Sequence, residues 1–226
     1  MAAHPLFIVG SPRSGTSILV RALQRAGYSG YNEGNFVSLI HPLLRDIDRH
    51  FATFGTDNPQ VLTSRIDRQA LKDLVARQVL NAALAQYDTP VWLDKTGNPE
   101  MIEIIPILRR LLPTSHFIFA KRRAIENLVS RVVKFPKHSF EYHCNDWARN
   151  MAAWRRLKET HPDVPAIEVD QHDISEQPGA TATAIGRFLA LTEDARSTLE
   201  RTFRSERPQQ SEPGSAQRVL SRLRAG

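Results

Sequence analysis

The chain contains almost no cysteine and no long apolar run. Cys144 is the single cysteine among 226 residues. An intramolecular disulfide is therefore impossible, and a zinc site built from several cysteine ligands is excluded. No apolar stretch approaches the roughly 20 residues that a membrane-spanning helix needs. Because the first residues also lack the regions of a signal peptide, we expect a soluble, cytoplasmic protein without a membrane partner.

The charged residues form no long basic tract. Lys and Arg number 30 and Asp and Glu number 24, which gives a net charge of +6. A positive balance fits a polyanionic ligand, although a generally Arg-rich proteome would produce it too. Since the charges are interspersed and do not alternate with aromatic residues, we expect no nucleic-acid partner.

Short apolar runs alternate with helical patterns along the chain. The runs predict strands at residues 6–9, 90–93, 116–120 and 165–169. The 3.6-residue periodicity predicts helices over residues 17–26, 41–54, 65–87, 102–112, 124–133, 146–160 and 181–191. Residues 28–36 and 134–145 are predicted to be irregular. This alternation predicts an α/β fold, a single domain with a central parallel β-sheet flanked by helices. Ligands then bind at the carboxyl ends of the strands.

A glycine-rich loop follows the first predicted strand. Gly10 and Gly15 are separated by four residues, and Thr16 and Ser17 follow them. Glycine lets a backbone wrap around phosphates so that its N–H groups donate to them, and the start of a helix adds a favourable dipole. Arg13 places a cation within the loop. We interpret the loop as a phosphate site, with an ordinary strand-to-helix turn as the plainer alternative.

The loop lacks the lysine of a Walker A sequence. That lysine stands directly after the second glycine and reaches the β- and γ-phosphates. Thr16 occupies the position here, and Arg13 can carry the charge instead. A small P-loop kinase is therefore disfavoured, although it stays an alternative, as does a non-catalytic nucleotide-binding module.

Two further polar clusters follow strands. Arg122 ends the third strand, and Ser130 lies eight residues later on the next helix. An arginine and a hydroxyl in this arrangement can hold one phosphate from two sides. Lys121 and Arg123 are alternatives to Arg122 for this contact. Lys95 follows the second strand and is the other basic candidate.

These clusters together resemble the motifs of sulfotransferases that use 3′-phosphoadenosine 5′-phosphosulfate (PAPS). Residues 7–17 are similar to the family's 5′-phosphosulfate loop, with its Lys or Arg, Ser-Gly-Thr and a further Thr or Ser. Arg122 and Ser130 are similar to its 3′-phosphate site, although Arg123 and Ala124 replace the usual Asp-Pro. Residues 92–96 are similar to its strand-end Lys-Thr-Pro or Lys-Ser-Pro element.

The resemblance implies a P-loop-like fold and a PAPS-dependent sulfotransferase. The acceptor would be a hydroxyl or amine of a small molecule or carbohydrate, the donor product would be 3′,5′-bisphosphorylated adenosine (PAP), and no metal is required. It implies that the donor is bound by Arg13, Ser14, Gly15, Thr16, Ser17, Arg122 and Ser130.

Catalytic roles are implied for Arg13, Lys95 and Glu33. Glu33 is the first candidate for the general base, because several branches of the family place a glutamate in the loop after the first helix. The reserve candidates are Asp94, His41, His138 and His143. We expect the sulfotransferase domain at residues 1–204. Residues 205–226 would be a C-terminal segment, either mobile or covering the donor site.

Overall fold

A five-stranded parallel β-sheet forms the centre of the protein. The structure is a computed structural model, and it describes residues 5–206. The strands are β1 (Leu6–Val9), β2 (Ser29–Gly30), β3 (Trp92–Thr96), β4 (His116–Lys121) and β5 (Ala166–Asp170). Their order across the sheet is β2-β3-β1-β4-β5. The prediction of a single α/β domain with a P-loop-like parallel sheet is confirmed.

The central strand β1 is buried on both faces. All four of its residues are fully buried, as its continuous apolar sequence predicts for a strand covered on both sides. Side chains alternate between the faces, so Leu6 and Ile8 pack in one layer of the core while Phe7 and Val9 pack in the other. Phe7 stacks on Phe117 with ring centroids 5.4 Å apart.

Helices cover both faces of the sheet. They are α1 (Thr16–Arg25), α2 (Ile40–Phe54), α3 (Arg68–Leu84), α4 (Pro99–Glu103), α5 (Ile105–Leu111), α6 (Ala124–Lys134), α7 (Phe140–Thr160), α8 (Gln171–Glu176), α9 (Pro178–Phe188) and α10 (Glu193–Ser205). Helices α1, α8, α9 and α10 pack on the face of Leu6, and α2, α3, α4, α5 and α7 pack on the face of Phe7. Among the described residues, no helix has the length and apolar character needed to cross a membrane.

Several elements differ from the sequence prediction, among them α7, β2 and α10. Helix α7 begins at Phe140 rather than at residue 146, because Ser139 caps it by accepting a hydrogen bond from the Tyr142 N–H at 3.1 Å. Strand β2 has only two residues, too few for a periodic pattern to show. Helix α10 is rich in charged residues, and its apolar contacts are confined to one stripe that includes Leu199 and Phe203.

Helix α10 ends close to the domain boundary predicted at residue 204. The helix ends at Ser205, and Glu206 forms an ion pair with Arg21 of α1 at 2.7 Å. Residues 207–226, which make up nearly all of the predicted C-terminal segment, lie outside the described residues.

Candidate active site

A cleft of about 760 Å³ lies at the carboxyl ends of the central strands. Because parallel strands end at the same edge of the sheet, the loops after β1, β3, β4 and β5 all reach it. Its lining brings together seven of the residues predicted for the site, namely Arg13, Gly15, Thr16, Ser17, Glu33, Lys95 and Arg122. The glycine loop, the two strand-end clusters and Glu33 therefore meet in one place.

The glycine loop curls around the start of α1. Gly15 has a φ of +87° and directly precedes the first helical residue, Thr16. The first N–H groups of a helix have no intrahelical acceptor, so they are available to an anion beside the loop. Arg13 also has a positive φ, +72°, which is uncommon for a residue other than glycine. The positive φ values of Arg13 and Gly15 thus turn the backbone of the glycine loop toward the cleft.

Ser14 lies behind the loop instead of facing the cleft. Its side chain is fully buried, and its hydroxyl accepts a hydrogen bond from Asn127 Nδ2 at 2.9 Å. Its N–H donates to the Ser11 carbonyl at 3.2 Å. Of the predicted donor-binding residues, Ser14 therefore contributes to the shape of the loop and not to the surface of the cleft.

The two predicted halves of the donor site touch each other. Arg13 Nε donates to Ser130 Oγ at 3.0 Å, and Arg122 Nη1 donates to the Arg13 carbonyl at 3.3 Å. Burial, and after it the charge of Arg122, lower the pKa of Arg13. Two guanidinium groups held this close repel each other, and an anion bound beside both relieves the repulsion.

Arg122 differs from its basic neighbours Lys121 and Arg123 in where its side chain lies. Arg122 is buried and lines the cleft, whereas the side chain of Arg123 is 63% exposed and pairs with Glu126. Lys121 pairs with Glu168 at 3.0 Å. Of the three alternatives, the structure brings only Arg122 into the cleft.

Glu33 and Lys95 form an ion pair on the opposite wall of the cleft. Lys95 Nζ lies 2.5 Å from Glu33 Oε1. The lysine side chain is only 6% exposed, while that of Glu33 is 58% exposed. The glutamate therefore presents a carboxylate to the open cleft, and the lysine holds it from below.

A comparison with protein families matches the part of the chain that forms this cleft. The profile described as the Sulfotransferase family matches residues 5–195, which include every cleft residue named above. The chain belongs to the sulfotransferase family. A comparison with curated protein sequences finds no match.

Three solved structures share the fold of this sulfotransferase family member. The sulfotransferase domain of the Synechococcus PCC 7002 olefin synthase is 14% identical with a TM-score of 0.53, over 98% of this chain and 94% of that chain. The sulfotransferase domain from the curacin biosynthetic pathway is 15% identical with a TM-score of 0.53, over 98% and 97%. A sulfotransferase from Mycobacterium avium is 12% identical with a TM-score of 0.54, over 97% and 76%.

None of the three reserve histidines lines the cleft among the described residues. His41 pairs with Glu103 at 2.7 Å in a separate groove between helices. His138 stacks on the Tyr142 ring at 4.3 Å. His143 is fully buried, and its Nδ1 lies 3.4 Å from Arg131 Nε. Among the described residues, no group of three or more His, Cys, Asp or Glu side chains is placed to hold a metal.

Asp94, the fourth reserve candidate, lies beneath the Glu33 turn. It is buried, and Thr96 Oγ1 donates to its Oδ1 at 2.9 Å. Burial raises the pKa of Asp94 from 3.8 to about 6, against the opposing effects of the Thr96 hydrogen bond and the charge of Lys95. Asp94 does not line the cleft, so it is poorly placed to take a proton from a ligand there.

The sequence analysis missed a buried polar network behind the glycine loop. Asn127 Nδ2 donates to the Pro12 carbonyl at 3.0 Å as well as to Ser14. Arg131 Nη1 donates to Ser11 Oγ at 2.8 Å, and its Nη2 pairs with Asp146 at 2.7 Å. Asn127 and Arg131 are four residues apart and share one face of α6, and this spacing was the signal in the sequence that could have found them.

The raised pKa of Asp94 predicts a pH-dependent effect of Asp94→Asn on stability. An acid whose pKa rises on folding contributes stability below its unfolded pKa, and this contribution is lost as pH rises through the folded value. Relative to the Asn variant, the wild-type protein should therefore lose about 2 kcal/mol between pH 4 and pH 7, with most of the loss complete by about pH 6. Denaturant unfolding of both proteins across this range measures the difference. The same difference at every pH would contradict the assignment.

Proposed function

We propose that this member of the sulfotransferase family transfers a sulfuryl group from PAPS to a hydroxyl or amine of a small-molecule or carbohydrate acceptor. The observation that carries the proposal is the composition of the cleft. It combines a glycine loop at the start of a helix, two adjacent arginines and a lysine–glutamate pair. The first two features suit a ligand with two separate anionic groups, and the third suits a proton-transfer reaction beside it.

The donor nucleotide fits the residues of the basic wall. In this assignment the N–H groups at the start of α1, with the Thr16 and Ser17 hydroxyls, hold the 5′-phosphosulfate. Arg122 and Ser130 hold the 3′-phosphate, which would replace part of the hydrogen bonding between Arg13 and Ser130 and leave Arg13 for the 5′-phosphosulfate. Ser14 supports the loop from behind through Asn127.

The acceptor wall supplies the proton-transfer and charge-stabilising groups. PAPS, when bound, supplies the sulfonate, and the bond from sulfur to the bridging oxygen breaks while the bond from sulfur to the acceptor forms. Glu33 takes the proton that the acceptor loses, and its exposed carboxylate can reach a bound acceptor. Lys95 stabilises negative charge at the transferring group, while Arg13 and the loop N–H groups stabilise the departing phosphate. The residues act by position and charge, as in phosphoryl transfer.

Arg122→Ala tests the donor site. Loss of one charge-assisted contact to a phosphate costs about 1.5–3 kcal/mol, so the dissociation constant for PAP should rise roughly 10- to 100-fold. Isothermal titration calorimetry with PAP measures it, and Arg13→Ala should act in the same direction. The matched control is Arg123→Ala, which removes an exposed arginine next in sequence and should leave PAP affinity within about twofold. Normal affinity in both Arg122→Ala and Arg13→Ala would refute the donor site.

Glu33→Gln tests the base. Because the side chain is exposed, the substitution should not disturb folding. Turnover should fall by roughly 10²–10⁴-fold with PAP affinity preserved, since a general base acts in the transfer step and not in donor binding. The assay is transfer from radiolabelled PAPS to a panel of phenols, alcohols and amines. Glu103→Gln, which removes a paired carboxylate outside the cleft, is the control. Unchanged turnover in Glu33→Gln would show that Glu33 is not the general base.

Thermal-shift measurements separate the proposal from the kinase alternative. PAP at about 100 times its dissociation constant stabilises the folded state by about 2.7 kcal/mol, which should raise the melting temperature by roughly 5–10 °C. ATP with Mg²⁺ at the same concentration should give a much smaller shift, because Thr16 replaces the lysine that reaches the β- and γ-phosphates. A large shift with ATP and Mg²⁺ and none with PAP would favour a kinase instead.

A further inference from the structure

The turn that carries Glu33 is fastened to the end of β3 by three contacts. The Gly34 N–H donates to the Lys95 carbonyl at 2.8 Å. The Asn35 N–H donates to Thr96 Oγ1 at 3.0 Å. Lys95 Nζ holds the Glu33 carboxylate itself. The position of Glu33 in the cleft therefore depends on the last residues of one buried strand.

Asp94 lies directly under this turn, and its two carboxylate oxygens connect Thr96 of β3 with Gly34 of the turn. Its Oδ1 accepts the hydrogen bond from Thr96 Oγ1. Its Oδ2 lies against Gly34, where a Cβ atom would come within 2.0 Å of that oxygen. Since no Cβ fits at that distance, a side chain at residue 34 would displace the Asp94 carboxylate. The turn and the carboxylate are packed as one unit.

We propose that Asp94 is a positioning residue for the transfer reaction, which fixes the Glu33 turn through Thr96 and Gly34. The proposal rests on the role of Glu33 in the proposed function. Asp94 itself does not reach the cleft, so it acts only through the residues that it holds. Its replacement should change how often Glu33 stands in the reactive position and leave donor binding intact.

The ionised form of Asp94 fits the hydrogen bonds of the turn. Thr96 Oγ1 accepts from the Asn35 N–H, so its own hydrogen is directed to Asp94 Oδ1. Protonation of Asp94 on either oxygen removes the negative charge that strengthens the bond from Thr96. Protonation of Asp94 should therefore loosen the hold on Asn35 and with it the hold on Glu33.

Three other titratable groups lie around Asp94. Lys95 is next to it on β3, Glu33 is on the turn above, and Tyr87 comes from the segment after α3. Burial, and after it the charge of Asp94, raise the pKa of Tyr87, so Tyr87 stays neutral near pH 6. With the pKa of Asp94 raised to about 6 by burial, the charge of Asp94 changes near that pH.

A structural role alone would not explain an aspartate at this position. A buried carboxylate costs stability whenever it is ionised, and asparagine has the same shape without the charge. The two roles therefore predict different results. Asp94→Asn should keep or raise stability near pH 8 while it lowers turnover, which is the trade-off expected of a residue retained for activity.

Amide NMR tests the proposal without any knowledge of the acceptor. In the wild-type protein the Asn35 and Gly34 amide resonances should shift with pH and show a midpoint near 6. In Asp94→Asn this titration should disappear. Asp88→Asn, an exposed aspartate earlier in the chain, is the matched control and should leave the titration unchanged. Persistence of the midpoint in Asp94→Asn would overturn the proposal.

Kinetics provides the second readout, with radiolabelled PAPS and the same acceptor panel. Asp94→Asn should lower kcat roughly 10- to 100-fold, because small misplacements of a reacting group cost about that much, with KM for PAPS and PAP affinity within about twofold. The fall in wild-type activity below pH 6 should vanish in the variant. Thr96→Val should act in the same direction and add little to Asp94→Asn. Unchanged kcat and an unchanged pH profile would contradict the proposal.

The two proposals fail in different ways. If the wild-type protein does not bind PAP, the proposed function is wrong, yet the amide titration still reports on the contact between Asp94 and the turn. If Glu33→Gln has full activity, Glu33 is not the base and Asp94 has nothing catalytic to position. If Glu33→Gln is inactive and Asp94→Asn is normal in kcat and pH profile, only the positioning role fails.

Discussion

The buried contact between α6 and the glycine loop is the constraint on which the rest of the site depends. Asn127 donates to both Pro12 and Ser14, so it fixes the back of the loop from a helix that begins two residues after Arg122. Ser130 lies on that helix, and Arg122 lies just before it. One contact therefore sets the distance between the glycine loop and the pair Arg122 and Ser130. A ligand with two anionic groups would meet these two binding elements at a fixed separation. Because the contact is buried, water competes little for these hydrogen bonds.

The strands and the loop could be predicted from sequence because they depend on local properties. The apolar run before Gly10 has few alternatives to a buried strand, and Gly10 and Gly15 permit the positive φ values that the loop adopts. The orientation of Ser14 could not be predicted in this way. Its hydroxyl faces Asn127, a partner that only the folded chain brings near. The same is true of α10, which depends on a surface formed by α1 and α9.

The acceptor side of the cleft is harder to derive from sequence for a physical reason. The donor side is built largely from backbone N–H groups and arginines, whose chemistry is the same in any context. The proposed acceptor side includes Asn35, Gly97 and Phe135, which line the cleft. These residues come from connections between helices and strands, where length and sequence carry few constraints. Their side chains determine selectivity only in combination.

Glu33 and Asp94 show how burial separates two carboxylates of similar chemistry. Both lie within reach of Lys95, and both were candidates for the same role. Glu33 is largely exposed to the cleft, so in the proposed reaction it could pass a proton to water after each turnover. Asp94 is buried under Gly34, where a proton has no direct path to the acceptor. The environment that raises the pKa of Asp94 thus removes it from the reaction and leaves it to hold the other carboxylate in place.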